Sequence, residues 1–261
     1  MSDFERSISD LDLRLFEKIP SQSSDNDKRS FLACQLAARE LIARYNYLEI
    51  GSYLGGSIQP HLLDEKCARI YSIDKRPEKQ PDERGAEYTY LNNSTARMIK
   101  KLGEVAPDRL DKITAIDGDT RSLDSGQIKE KIQLCFIDGE HTDEAAFADF
   151  KFCLNVLDSR GAIVFHDAAV TYNALDECVK YLQINGFAFR AYNLPDIVFV
   201  IEIGDFPLHR HSKIIEMLLN NHVGYLYSLQ ANDLFRRFFN KPVFKLYRSI
   251  MGQGKRNNTF E

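Results

Sequence analysis

Asp138 and His141 stand three residues apart in Ile137-Asp138-Gly139-Glu140-His141, and a second pair, His166-Asp167, follows further along the chain. Each pair comes directly after a short apolar run, Leu134 to Ile137 and Ala162 to Phe165. Two carboxylates are hard oxygen ligands suited to Mg²⁺, which takes few protein carboxylates and keeps much of its water. An imidazole titrates near neutrality and suits a general base. Asp138, Asp167 and His166 are therefore the candidate metal ligands, and His141 with Asp138 the candidate catalytic pair. A second reading stays open. Asp138 and Asp167 could cap the helices that follow or contact a ligand, and His166, a softer partner than Mg²⁺ prefers, could be a structural histidine hydrogen-bonded beneath the site.

The elements between these residues explain how they would meet. Leu134 to Ile137 is apolar enough for a strand buried on both faces. Thr142 can cap a helix whose first turn holds Asp143 and Glu144, and Phe147, Phe150, Leu154 and Leu157 give it one apolar face. Asp158 to Gly161 reads as the turn that ends this helix, and Ala162 to Phe165 as the second strand. In an open parallel sheet, groups at the carboxyl ends of strands face the ligand crevice, so Asp138, His141 and Asp167 would share one rim.

The same alternation runs through the middle of the chain. Strands are expected at Tyr47 to Ile50, Arg69 to Ile73 and Ile113 to Ile116, with helices from Ser57 to Leu63 and Asn93 to Leu102 and a loop from Lys75 to Tyr90. After Asp167 come a helix from Ala174 to Ile184 and two strands, Phe187 to Tyr192 and Ile197 to Ile203, too close together to be anything but an antiparallel hairpin. Ahead of the first strand, Ile8, Leu11, Leu15, Phe16 and Ile19 outline a short amphipathic helix stopped by Pro20. Lys28 to Tyr45 reads as a second helix, with Leu41 and Ile42 on its buried side. Strands alternating with helices imply right-handed crossovers and a mostly parallel sheet covered on both faces, an α/β fold of seven strands with an antiparallel edge hairpin. The expected division is N-terminal helices over 1–45, a central domain over 46–204 and a C-terminal helical, basic-aromatic extension over 205–261, with one helix from Ser212 to Asn221.

Glu49-Ile50-Gly51-Ser52-Tyr53-Leu54-Gly55-Gly56 turns from strand to helix, and glycine lets backbone approach a ligand closely. Asp74 ends the next strand, where a carboxylate can accept both hydroxyls of a ribose, and Asp117-Gly118-Asp119 ends the third. Tyr53 stands where G-x-G-x-x-G would put its middle glycine, which argues against a dinucleotide site. These residues and the block F-I-D-G-x-H … G-A-I-V-F-H-D resemble the class I S-adenosylmethionine-dependent methyltransferases, whose fold is Rossmann-like and doubly wound. Within that class the block is most similar to the small O-methyltransferases grouped with macrocin O-methyltransferase and the cephalosporin hydroxylase-like proteins. The resemblance covers about Tyr47 to Ile203. It implies that Glu49, Gly51, Ser52, Tyr53, Gly55 and Gly56 surround the methionine part of S-adenosyl-L-methionine. Asp74 would hold the ribose, Gly118 and Asp119 would border the adenine, and Asp138 would also lie at the cofactor. Related metal-dependent O-methyltransferases place a base three residues after a metal-binding aspartate, as His141 follows Asp138, and Mg²⁺ or another divalent cation is the second cofactor implied. The chain departs from these relatives in having His166 where macrocin-type enzymes have an acid, and Ala168 where the catechol type has an amide.

The implied reaction is methylation of a hydroxyl on a saccharide or glycosylated small molecule. An NAD-dependent oxidoreductase, a binding protein that keeps the fold without catalysis, and methyl transfer to a phosphate-type oxygen are the alternatives. Tyr53, Tyr172 and Tyr192 are candidates for lining a substrate pocket. A net charge of −4 and a pI near 5.9 leave no general field for nucleic acid, and no apolar run approaches the roughly 20 residues of a membrane span. MSDFERSISD lacks the basic and apolar regions of a secretion signal, and five scattered cysteines without a C-x-x-C pair suit the cytoplasm. Between Leu234 and Arg256 every charge is basic and interleaved with aromatics, a composition for peripheral membrane contact or for packing against the core or a second copy of the chain in a homo-oligomer.

Overall fold

In the computed structural model, which describes residues 2–85, 87–219, 241–244, 246 and 257–260, the apolar runs become a seven-stranded sheet. The chain opens with α1 (Asp3–Ser9) and α2 (Asp25–Leu41), then enters β1 (Tyr45–Ile50), α3 (Gln59–Leu63) and β2 (Cys67–Asp74). A small hairpin, β3 (Lys79–Pro81) and β4 (Glu87–Tyr90), precedes α4 (Thr95–Val105) and β5 (Ile113–Asp117). Next come β6 (Ile132–Ile137), α5 (Asp143–Val156), β7 (Leu157–Phe165) and α6 (Tyr172–Ile184). β8 (Phe189–Leu194), β9 (Val198–Ile203), α7 (Ser212–Leu218) and β10 (Asn257–Phe260) follow.

The sheet order is β5-β2-β1-β6-β7-β9-β8. The first five strands run parallel, and β9 inserts antiparallel between β7 and β8. Strand side chains alternate, so each strand feeds two cores. Tyr47, Leu134, Phe136 and Val164 pack with Leu32 and Leu36 of α2, whereas Leu48, Cys135, Ile137 and Phe165 pack with Phe150 of α5 and Leu182 of α6. The five cysteines are buried and free, as expected of packing thiols.

Several boundaries differ from expectation. The apolar residues from Ile8 to Ile19 are buried, yet α1 ends at Ser9 and a 3₁₀ turn spans Leu13–Phe16. Leu11 at φ 51° breaks the helix between them, and the Asp12 side chain caps the second piece. α2 starts earlier, where Ser24 and Asp27 form a reciprocal capping box, and stops at Leu41, whose side chain is 43% exposed and not on the buried side. Asp158 to Gly161 does not turn; it bulges within β7 between the pairs Ile132–Leu157 and Leu134–Ala162. The expected loop from Lys75 to Tyr90 holds the β3–β4 hairpin, and β10 pairs parallel to β4 at its other edge. Most of the basic-aromatic stretch from Leu234 to Arg256 lies outside the described residues.

Candidate active site

Strand register assembles the site. Ile50 pairs with Ile73 and with Ile137, and Ile137 pairs with Phe165. Gly51, Asp74, Asp138 and His166 therefore stand side by side at the ends of four adjacent strands, where open parallel sheets bind ligands. Gly51 turns the chain at φ +88°, and a Cβ on it would overlap the Asp138 carbonyl. Only glycine lets the two strand ends part at that separation. Gly55 N–H closes the turn on the Ser52 carbonyl at 2.7 Å, and Gly56 lies so near the N-terminal segment that its Cβ would sit 2.8 Å from the Pro20 carbonyl oxygen.

These turns frame a cavity of about 750 Å³, within the range of small-molecule sites. Gly51, Ser52, Tyr53 and Gly56 form one wall, Asp74 sits at one end, and Asp138, His141, His166 and Asp167 form the other. Asp74 is buried; its Oδ2 accepts from Tyr53 N at 2.9 Å and from the Arg76 guanidinium at 3.2 Å, and its Oδ1 accepts from Arg76 N at 2.6 Å. The Tyr53 ring meets Tyr90 edge-on at 5.0 Å, and its buried hydroxyl has no hydrogen-bond partner among the described residues. Tyr172 and Tyr192 do not line the cavity; Tyr192 instead donates to Glu202 at 2.8 Å.

Four expected site residues do not line this cavity: Gly55, which closes the glycine turn, and Glu49, Gly118 and Asp119. Glu49 is fully buried behind the glycine turn, accepting from Tyr47 Oη at 2.6 Å and Ser57 Oγ at 2.9 Å. Burial pushes its carboxyl up to about 7 against the pull of those two bonds. Glu49 thus braces Ser57, which does line the cavity. Gly118 and Asp119 border a narrow cleft of about 20 Å³ that adjoins the cavity across Gly51, Asp74 and Gln80, crossed by Lys75 Nζ at 3.1 Å from Asp119 and 2.8 Å from Glu140. The hydrogen-bonded Arg121 guanidinium, with Lys75, holds the Asp119 carboxyl well below the usual range despite some burial.

At the other end, two carboxylates and two imidazoles interlock. His166 Nδ1 is 2.9 Å from Asp138 Oδ1 and 3.0 Å from Asp167 Oδ2. His141 Nε2 is 3.1 Å from Asp167 Oδ2 and 3.9 Å from Asp138 Oδ1, and its Nδ1 faces Asp82 Oδ2 at 3.5 Å. One ligand atom each from Asp138, His141 and Asp167 falls within a 4.8 Å span, a grouping able to hold a metal ion. His166, expected as the third ligand, turns both ring nitrogens to carboxylates instead, with Nε2 3.3 Å from Asp27 Oδ2. Burial alone would lower the His141 imidazole, but the Asp167 charge, with Asp138 and Asp82, outweighs it and raises the group to about 10. His166 likewise rises well above its ordinary value because Asp138 and Asp167 overcome burial. Asp138 and Asp167 are held low by the facing imidazoles, which overcome burial.

Residues 48–168 match a family described as a methyltransferase domain. A search of the curated proteins finds no match. Among solved structures, the O-methyltransferase NovP superposes with a TM-score of 0.58 at 11% identity, over 77% of this chain and 99% of that one. The calicheamicin methyltransferase CalS11 superposes at 0.51 and 14% identity, over 78% of this chain and 95% of that one. Within residues 48–168 the chain carries a methyltransferase domain match, on a fold it shares with both superposed methyltransferases. The structural likenesses support its fold, and the family match rests on the same segment that carries the glycine turn, Asp74, Asp138 and Asp167.

The cavity also takes residues that sequence reasoning missed. Gln80, Tyr88 and Tyr90 come from the β3–β4 hairpin, Ser21 to Ser23 from the segment before α2, and Ile197 from the β8–β9 turn. Asp82 on the hairpin is fully buried at its carboxylate, paired with Arg84 at 2.8 Å, and bridged through the backbone to His141. Pro81-Asp82-Glu83-Arg84-Gly85 before the alternating Tyr88-Thr89-Tyr90 was the available hairpin signal. Asp27 had no signal beyond its role in a capping box.

Proposed function

We propose that the enzyme transfers a methyl group from S-adenosylmethionine to a hydroxyl oxygen of a saccharide or glycosylated small molecule. One observation carries this reading: the Asp138–His141–Asp167 cluster opens into the same cavity as Asp74 and the glycine turn. The donor set suits the cofactor. Asp74 accepts three hydrogen bonds and keeps a lone pair on Oδ1 for one ribose hydroxyl, and a second hydroxyl would be met if the Arg76 guanidinium gives up Oδ2. The glycine turn brings backbone close to the methionine part, and the unpartnered Tyr53 hydroxyl offers a further polar contact there. Gly118 and Asp119 would border the adenine once Lys75 yields the cleft it spans.

Among the described residues lining the cavity, none is Lys or Arg, and amides, phenols and the hydroxyls of Ser21, Ser23, Ser52 and Ser57 supply the remaining polarity. Such a lining favours a neutral, hydroxyl-rich acceptor over a phosphate or carboxylate, because the His141 and His166 imidazoles are already paired with Asp82, Asp138 and Asp167 and no Lys or Arg is left to meet a further negative charge. Asp138 and Asp167 fit a divalent cation by their hard oxygens, and when bound it would stabilise the developing alkoxide of the acceptor. His141 Nε2 is placed to exchange a proton with the acceptor hydroxyl while Asp82 holds its other nitrogen. Raised to about 10 by Asp167, Asp138 and Asp82, the imidazole takes that proton only in its neutral form, so turnover should rise with pH. The hairpin brings Tyr88 to the cavity wall and, through Asp82, is bridged to His141.

The test is label transfer from methyl-labelled cofactor to paired neutral and phosphorylated saccharides. Neutral acceptors should be labelled, EDTA should suppress the reaction, and His141→Ala should lower turnover by about 10²–10⁴-fold with cofactor affinity intact. Preferential labelling of phosphorylated acceptors overturns the substrate class. Undiminished activity in EDTA overturns the metal.

A further inference from the structure

The reacting carboxylates are braced from a part of the chain outside the segment that matches the methyltransferase family. His166 is 8% exposed, and its Nδ1 stands between Asp138 Oδ1 and Asp167 Oδ2 at 2.9 and 3.0 Å. A nitrogen in that position must carry the hydrogen and donate it to carboxylate, which fixes the ring's orientation only if the opposite nitrogen is also engaged. The opposite partner is Asp27, 1% exposed in the first turn of α2, with Oδ2 3.3 Å from His166 Nε2. Phe31, one turn further along α2, packs its ring edge-on to the His166 imidazole at 5.7 Å. Asp27 is itself held rigidly. Its Oδ2 accepts from Ser24 N at 3.0 Å, and its Oδ1 from Ile197 N at 3.3 Å in the β8–β9 turn. The Ile197 carbonyl in turn accepts from Ala168 N at 3.0 Å, beside Asp167.

We propose that Asp27 is a positioning residue for methyl transfer, acting through His166 to hold Asp138 and Asp167 at the spacing the reaction requires. The inference rests on the function proposed above for those carboxylates and extends the reacting centre to α2. Metal sites commonly depend on such outer partners, which orient the ligands without touching the ion. Here the usual order is inverted, because an imidazole orients carboxylates and a further carboxylate orients the imidazole. A capping box needs only a side-chain acceptor facing Ser24 N, so the contact to His166 is additional to what the helix requires.

The experiment uses the full chain and the variants Asp27→Asn, His166→Ala, the double variant and Ser24→Ala. Asp27→Asn keeps the shape of the side chain but replaces the oxygen that faces His166 or the one that faces Ile197. Mn²⁺ affinity by calorimetry should fall about 10–100-fold in Asp27→Asn, with S-adenosylhomocysteine affinity unchanged. The double variant should be no worse than His166→Ala alone. Ser24→Ala, which removes the other half of the capping box, should lower the melting temperature while leaving Mn²⁺ binding intact. In proton–nitrogen spectra of the imidazoles, Asp27→Asn should move the His166 Nδ1–H resonance as well as the Nε2–H resonance, since the whole ring turns. An unmoved Nδ1–H resonance, or equal loss of Mn²⁺ binding in Ser24→Ala, overturns the proposal and leaves Asp27 a helix cap. Should the wild type bind no Mn²⁺, the metal reading fails by itself, and the His166 spectrum still decides the role of Asp27.

Discussion

Asp74 and Glu49 are both buried carboxylates near the glycine turn, and opposite surroundings give them opposite work. Asp74 is tied to Tyr53 N and to Arg76 and opens onto the cavity. Asp74→Ala should weaken S-adenosylhomocysteine binding by roughly 2–4 kcal/mol, from charge-assisted hydrogen bonds worth about 1.5–3 each and not fully additive. Calorimetry on a folded variant checks it, and unchanged affinity removes Asp74 from the ribose. Glu49 faces Tyr47 and Ser57 with no cation, and its carboxyl sits near 7 in the folded chain against an ordinary 4.5. Below 4.5 both folded and unfolded chains hold this proton. Between 4.5 and 7 the unfolded chain releases it while the folded chain keeps it, so stability falls as pH rises, and above 7 the cost is constant. The loss amounts to at most about 3 kcal/mol at 1.36 kcal/mol per unit. Glu49→Gln should flatten this slope in urea denaturation at pH 4.5, 6 and 8; parallel wild-type and variant profiles would remove the effect. Asp138, His141 and Asp167 were legible in sequence because each follows an apolar run that ends abruptly. The role of Glu49 was not, because a carboxylate within β1 reads as a ligand contact unless one knows that Tyr47, two residues back, shares its face of the sheet.

The glycine turn and the β3–β4 hairpin position the chemistry by different means, and each fails in its own way. A methyl group on Gly51 would overlap the Asp138 carbonyl, and φ +88° is costly for any residue with a Cβ. Gly51→Ala should therefore destabilise the protein by at least about 2 kcal/mol and abolish cofactor binding, read as a lower melting temperature without a rise on adding S-adenosylhomocysteine. The hairpin docks through Glu83 N on the His141 carbonyl at 3.0 Å, and the Glu83 carboxylate accepts from Asp143 N at 3.0 Å at the start of α5. Asp82 then meets the His141 ring. Asp82→Ala should leave cofactor affinity unchanged and lower turnover by about tenfold or more, as loss of an orienting partner does. Equal turnover would detach the hairpin from catalysis. The long alternating elements were readable because periods of two and 3.6 persist over enough residues to be distinct. The hairpin was not read, since β3 and β4 are short, β3 itself ends in Pro81, and what anchors them beyond their own pairing comes from His141 and β10 far along the chain.

Across the whole molecule, the sheet has two faces to cover, and the chain covers them with segments from different places. Alternation of elements was enough to imply a parallel sheet with a terminal hairpin. It could not show that β9 enters between β7 and β8, which is a matter of tertiary pairing. Among the described residues no helix is long and apolar enough to cross a membrane. The basic-aromatic stretch from Leu234 to Arg256 is proposed as a peripheral contact for anionic lipid. Co-sedimentation with anionic liposomes should then favour the full chain over one ending at Gln230, and equal, negligible binding by both rejects it. The N-terminal helices make a stronger demand. α2 runs under β1, β6 and β7, and Ile8, Leu15, Phe16, Ile19, Leu32 and Leu36 are buried in one cluster with Tyr47, Leu134, Phe136 and Val164. Removing residues 1–45 would bare the part of that face over β1, β6 and β7, which α3, α4 and α7 leave to α2, and so expose a contiguous apolar patch of the kind a soluble monomer rarely carries. It would also take away the Arg39 partner of the buried Asp64, paired at 3.0 Å, leaving an uncompensated carboxylate. A chain of residues 46–204 should therefore be insoluble or bind the dye ANS strongly without a cooperative thermal transition. A soluble 46–204 fragment that melts cooperatively would show the central domain to be self-sufficient, and α2 to be an addition and not half of its core.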